Sequence, residues 1–223
     1  MTLQWLRSGM RSGVFAAAVV CSGVISTSAT AQEPGAAGNA EKGKQLSYTC
    51  LGCHGVDGYK NAYPNYSVPE LEGQHPEYIA AALKEYRDGD RAHLTMHSQA
   101  STLSDQDIAD IAAYFAGKPL TADAKAVGEV PEPAKICTSC HGPNGVGITT
   151  QYPTLAGQHP DYIVRALQEY KHGGRKNPIM VGMAQTVKDD DMKIIAEYFS
   201  KQRPSLATES RPYTTFGHEA AGK

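Results

Sequence analysis

Apolar residues recur at helical spacing in four stretches, and the stretches fall into two matched pairs. After Pro76, the residues Tyr78, Ile79, Ala82, Leu83 and Tyr86 form one stripe, and after Pro160, Tyr162, Ile163, Ala166, Leu167 and Tyr170 repeat it. Proline suits the first helical position, because its missing N–H would be unpaired there in any residue. Further on, Ile108, Ile111, Ala112 and Phe115 stand at i, i+3, i+4 and i+7, and Met192, Ile195, Ala196 and Phe199 reproduce that face. Ser104 with Asp107 predicts a near capping box at the start of the third stripe, and Gly117 its end. Lys188 replaces Ser104 in the fourth, which leaves Asp189 to take over the cap. No segment sustains period-two alternation, so the pattern predicts an all-α fold with few strands.

The pairing extends to a duplication. Leu71-Glu72-Gly73-Gln74-His75-Pro76-Glu77-Tyr78-Ile79 returns 84 residues later as Leu155-Ala156-Gly157-Gln158-His159-Pro160-Asp161-Tyr162-Ile163, and Tyr114-Phe115 returns as Tyr198-Phe199. A repeat this long means two tandem homologous domains and not a solenoid. We place the first domain at 32–118, a linker at 119–134, the second domain at 135–202 and a polar tail at 203–223. The linker carries Pro119, Pro131 and Pro133, so the second copy has little room for a helix like the one expected over Asn39 to Tyr48. The tail shows no helical period and reads as a disordered end or a docking segment.

Chemistry enters with Cys50-Leu51-Gly52-Cys53-His54 and Cys137-Thr138-Ser139-Cys140-His141. C-x-x-C-H is the attachment signature of c-type haem: both thiols reach one porphyrin from a single helical turn, and the histidine projects at the iron. A redox dithiol or half a zinc site would account for one C-x-x-C, but less well for two copies each followed by histidine. The sequence thus calls for two covalently bound haem c groups. These motifs lie 87 residues apart, so copy one has three extra residues before Leu71, in the Tyr59 to Ser67 loop. Each iron needs a second axial ligand or an open face, a choice that separates an electron carrier from an enzyme. Met96 and Met180 occupy equivalent positions, seven residues before Leu103 and Val187, in what reads as a methionine loop. Met183 competes with Met180, while His93 and His97 offer bis-histidine ligation in copy one, but they match Asn177 and Val181 in copy two. Arg91 and Arg175 also match, and each suits either a haem propionate or a solvated surface. His75 and His159 read as orienting the Gly-Gln-His-Pro turns, and Tyr86 and Tyr170 as packing residues.

The first 31 residues read as an export signal: Arg7 and Arg11, an apolar run from Val14 to Ile25, and Ala29-Thr30-Ala31 as a cleavage site. Cys21 would leave with it, Val20 makes a poor lipoprotein context, and an uncleaved anchor is the competing reading. The remaining four cysteines are consumed by the two haem motifs, so no disulfide framework is expected. The net charge of −2 becomes −4 once Arg7 and Arg11 are lost, and no basic stripe suggests nucleic acid as a partner. Haem would supply much of each small domain's apolar volume, so the apoprotein is expected to be largely unfolded.

Over nearly all of Ala40 to Gln202 the chain resembles the dihaem cytochrome c4 family. The duplicated C-x-x-C-H, the Leu-x-Gly-Gln turns, the Met96 and Met180 segments and the closing helices carry the likeness. The resemblance implies two cytochrome c domains in pseudo-twofold arrangement, with the haems approaching across the interface and their propionates inward. It further implies a periplasmic electron carrier, soluble or loosely membrane-attached, with no catalytic residues. Such a carrier passes electrons from a cytochrome bc complex towards a haem–copper terminal oxidase. The proline-rich approach to Cys137 and the tail beyond Gln202 depart from the family pattern. Two other functions compete: the dihaem electron-accepting subunit of a periplasmic dehydrogenase such as a sulfide-oxidising flavocytochrome, and a dihaem peroxidase using His93 or His97.

Overall fold

The structure, a computed structural model, describes residues 37–118 and 120–208. The expected export signal and residues 209–223 of the tail lie outside the described residues. The first domain contains α1 (Ala40–Leu46), α2 (Leu51–His54), α3 (Pro76–Asp88), α4 (Leu94–Ala100) and α5 (Asp105–Ala116). The second contains a 3-10 turn (Glu132–Cys137), α6 (Thr138–His141), α7 (Pro160–Lys171), α8 (Pro178–Thr186) and α9 (Asp189–Ser200). Among the described residues there is no strand, only isolated bridges such as Arg91 with Arg175, so the all-α expectation holds.

The apolar stripes face the two cores. Ile108, Ile111, Ala112 and Phe115 are buried together with Leu51 and Ile79, and Met192, Ile195, Ala196 and Phe199 with Ile163 and Leu167. Local signals set the helix ends. Ser104 and Asp107 form a complete capping box on α5, and Gly117 ends it at φ 51°. The expected Asp189 cap on α9 is not made: Lys188 is the cap residue without a side-chain bond, and Asp189 instead accepts from Lys171 Nζ at 2.7 Å. Three consecutive aspartates in the first turn complement the helix dipole in its place.

The domains differ at their entries. α1 crosses α5 so closely that a Cβ on Gly43 would lie 1.9 Å from the Asp110 carbonyl oxygen. Among the described residues nothing equivalent precedes Cys137, where the chain enters through the 3-10 turn after Pro131. Here the fully buried Gln202 staples the linker instead, accepting from Val127 N at 2.8 Å and donating to Val127 O at 3.0 Å.

The interface between the domains is close to symmetric. Ala92 N donates to Gly174 O (2.7 Å) and Lys176 N to Asp90 O (3.0 Å), so residues 84 apart exchange roles. The turn glutamines do the same. Gln74 donates to Thr154 O at 2.9 Å and accepts from Thr154 N at 2.8 Å, while Gln158 donates to Glu70 O and accepts from Glu70 N, both at 3.0 Å. These side chains pair backbone groups that a buried interface would otherwise strand.

Departures from symmetry lie on one side. The loop carrying copy one's extra residues docks on the start of α7, where Asp161 accepts from Lys60 Nζ, Ser67 N and Ser67 Oγ. The chain after Gln202 is not a free end over its first residues: Leu206 is buried, and Ala207 exchanges both backbone bonds with Glu72. Thr208 Oγ1 then reaches Glu70 Oε2 at 2.5 Å. Among the described residues no helix is long and apolar enough to cross a membrane.

Candidate functional site

Each C-x-x-C-H occupies one short helix, α2 or α6, entered through its first cysteine. One turn brings the two thiols to the same side, as attachment to one porphyrin requires. All four cysteines are free and half-buried. Burial pushes the Cys50 and Cys137 thiols up from their ordinary range. A redox dithiol needs the opposite shift, which disfavours that alternative. Zinc fares no better, since no three metal-binding side chains converge among the described residues.

The histidines are held for ligation. His54 Nδ1 lies 3.1 Å from Pro69 O and His141 Nδ1 2.8 Å from Pro153 O. A carbonyl can only accept, so Nδ1 carries the proton in both rings and Nε2 keeps a lone pair. Burial holds both imidazoles below their usual pKa and therefore neutral. A pinned neutral imidazole directly after two thiols on one helical turn fits the chemistry of an attached haem.

Met96 and Met180 do not sit in loops; each rides on the first turn of a helix, α4 or α8. His93 caps α4 by accepting from Met96 N at 3.2 Å, and Asn177 caps α8 by accepting from Met180 N at the same distance. His93 thus does the work of the residue that replaces it in copy two. His97 Nδ1 donates to Tyr86 O at 2.9 Å. Both methionines are half-buried, and Met180 packs on the second core together with Cys137.

Arg91 and Arg175 are each 3% exposed, which overturns the surface-charge reading. Arg91 bonds Glu85 at 2.7 Å and Arg175 bonds Glu169 at 2.7 Å, and their guanidiniums approach the Tyr78 and Tyr162 hydroxyls at 3.5 and 3.4 Å. They stack on Tyr86 and Tyr170 at 5.2 and 5.4 Å. Burial pushes the Tyr170 hydroxyl up to about 12. Sequence reasoning passed over Glu85, Glu169, Gln74 and Gln158, although each pair recurs at the repeat offset. That offset was the signal that could have found them.

The cytochrome c family model matches residues 40–117 and 134–203, one match per domain. Cytochrome c4 of Pseudomonas aeruginosa is 38% identical over 180 residues, covering 73% of this chain and 88% of the relative. The chain belongs to the dihaem cytochrome c4 family. Its cofactors are two covalently bound haem c groups, and its class of activity is electron carriage. The crystal structure of reduced recombinant cytochrome c4 from Pseudomonas stutzeri superimposes with a TM-score of 0.61 at 32% identity, covering 74% of this cytochrome and 100% of that chain. A further relative, the thiosulfate dehydrogenase electron acceptor of Stutzerimonas stutzeri, is 30% identical over 68% of this cytochrome and 77% of its own length.

Proposed function

We propose that this cytochrome is an exported two-site electron carrier working in the periplasm. Cys50 and Cys53 attach one haem and Cys137 and Cys140 the other. His54 with Met96, and His141 with Met180, bind the two irons. The observation that carries the reading is that both copies hold a carbonyl-pinned histidine and, at matched positions, a methionine on a capped first helical turn. When bound, haem supplies a reversible one-electron couple at iron. The chain's part is to hold ligands of fixed tautomer and fixed helical position, so that oxidation needs little rearrangement. With a histidine and a methionine both held for it, each iron would have no position left for a substrate, which favours transfer over peroxidase chemistry. An arginine has five N–H donors, and Glu85 and Glu169 take only part of them, so Arg91 and Arg175 can also serve a propionate at the interface.

The family resemblance supports a cytochrome bc complex as donor and a haem–copper terminal oxidase as acceptor. The likeness to the thiosulfate dehydrogenase electron acceptor favours a second reading, in which a periplasmic dehydrogenase reduces this protein. The ligand assignment is tested on the ferric holoprotein by the weak red charge-transfer band of sulfur-ligated haem. Met96→Ala and Met180→Ala should each remove about half of its intensity. Full intensity in either variant would overturn that ligand.

A further inference from the structure

The residue after the proline that pins each proximal histidine is Glu70 in the first copy and Thr154 in the second. Glu70 is 8% exposed, and both of its carboxylate oxygens are engaged, Oε1 by His159 Nε2 at 2.9 Å and Oε2 by Thr208 Oγ1. At Thr154 the corresponding contact involves no carboxylate: Oγ1 lies 3.5 Å from His75 Nε2. Glu70 directly follows Pro69, whose carbonyl oxygen lies 3.1 Å from His54 Nδ1, so its carboxylate stands one residue from the group that holds the ring. The His141 ring is held in the same way by Pro153 O at 2.8 Å, but the residue that follows, Thr154, carries no charge. Burial opposes the Glu70 charge, but the bonds from His159 and Thr208 outweigh it and keep the group ionised. The resulting charge asymmetry is built by the other domain and by the chain end, since His159 belongs to α7's cap and Thr208 to the tail.

We propose that the Glu70–His159 pair sets the midpoint potential of the first haem separately from the second, the carboxylate lowering it and the imidazolium raising it. This rests on His54 being that haem's ligand, as argued above. Ferric haem carries one more positive charge than ferrous, so a nearby carboxylate favours the oxidised form and a nearby cation the reduced form. The inter-domain contact thereby serves as an electrostatic control on one of two otherwise similar sites.

The test is a spectroelectrochemical titration of full-length holoprotein at pH 6, where His159, facing Glu70, Asp161 and Lys60, carries its proton. The first haem's transition is identified as the one displaced in Met96→Ala. Glu70→Gln should raise that midpoint, changing the oxidised-to-reduced ratio at fixed potential by roughly tenfold, or about 59 mV for one electron. His159→Gln should lower it, and the second transition should stay within twofold of wild type in both. Opposite signs are the decisive feature, because a merely structural loosening breaks the same contact in both variants and moves the midpoint one way. Same-sign shifts, or none, overturn the proposal. Failure of the premise looks different: if Met96→Ala displaced neither transition, the ligand assignment would fall and this inference with it.

Discussion

Replacing Gln74 with leucine should cost the holoprotein roughly 2–5 kcal/mol, because the lost amide strands partners in two domains. Gln74 is 3% exposed, and its side chain serves the Thr154 N–H and C=O across the interface and the His75 N–H within its own turn. Leucine fills similar volume but offers neither donor nor acceptor. Each buried group left unpaired costs about 1–3 kcal/mol, with the turn N–H best placed to find water. Gln158→Leu should cost a similar amount through Glu70 and His159. Guanidinium unfolding followed by far-ultraviolet dichroism and Soret absorbance measures both. The double variant should lose less than the sum of the singles, since parting the interface once removes what the second change could break. Gln185, which bonds Lys171 O from an exposed site, is the control, and its leucine variant should stay within about 0.5 kcal/mol. If Gln74→Leu and Gln158→Leu also stay within that margin, the exchanged glutamines do not hold the domains together.

Two further outcomes follow from single contacts. The Glu70 hydrogen bond raises the pKa of His159 above its ordinary 6.5, and Glu70 is held below its ordinary 4.5. The pair therefore contributes fully between those two values; its contribution is lost as pH rises through the folded pKa of His159, and again as pH falls through that of Glu70. Unfolding midpoints should show wild type losing up to about 1 kcal/mol more than His159→Gln between pH 6 and 9, and parallel curves would refute the linkage. Gly43→Ala places a methyl against the Asp110 carbonyl oxygen and should destabilise the first domain by about 1–3 kcal/mol, read as a lowered thermal midpoint. An unchanged midpoint would show that α1 can slide on α5.

The repeat made much of the site legible. Spacing and residue type located both attachment motifs, the two methionines and the core faces of α3, α5, α7 and α9, because helical periodicity and covalent chemistry are local properties. Local reading failed where a side chain had a choice of partners. Asp189 was free to cap α9 or to meet Lys171, and the ion pair won. Arg91 and Arg175 were equally compatible with solvent, yet they lie buried on Glu85 and Glu169. His93 read as a candidate ligand, and only the placement of α4 gave its Nδ1 a helix to cap.

Order along the chain is enough to give an all-α duplicated protein, two haems and a methionine at the matched position of each copy. Tertiary structure alone decided what the differences between the copies are for. The three extra residues of copy one, the carboxylate of Glu70 and the first residues of the tail are far apart or unremarkable in sequence. Folding gathers them on one side of the domain interface, where Asp161, His159 and Glu72 receive them. Charge acts through space and burial strengthens it, so only the folded interface could make the two sites electrostatically unequal.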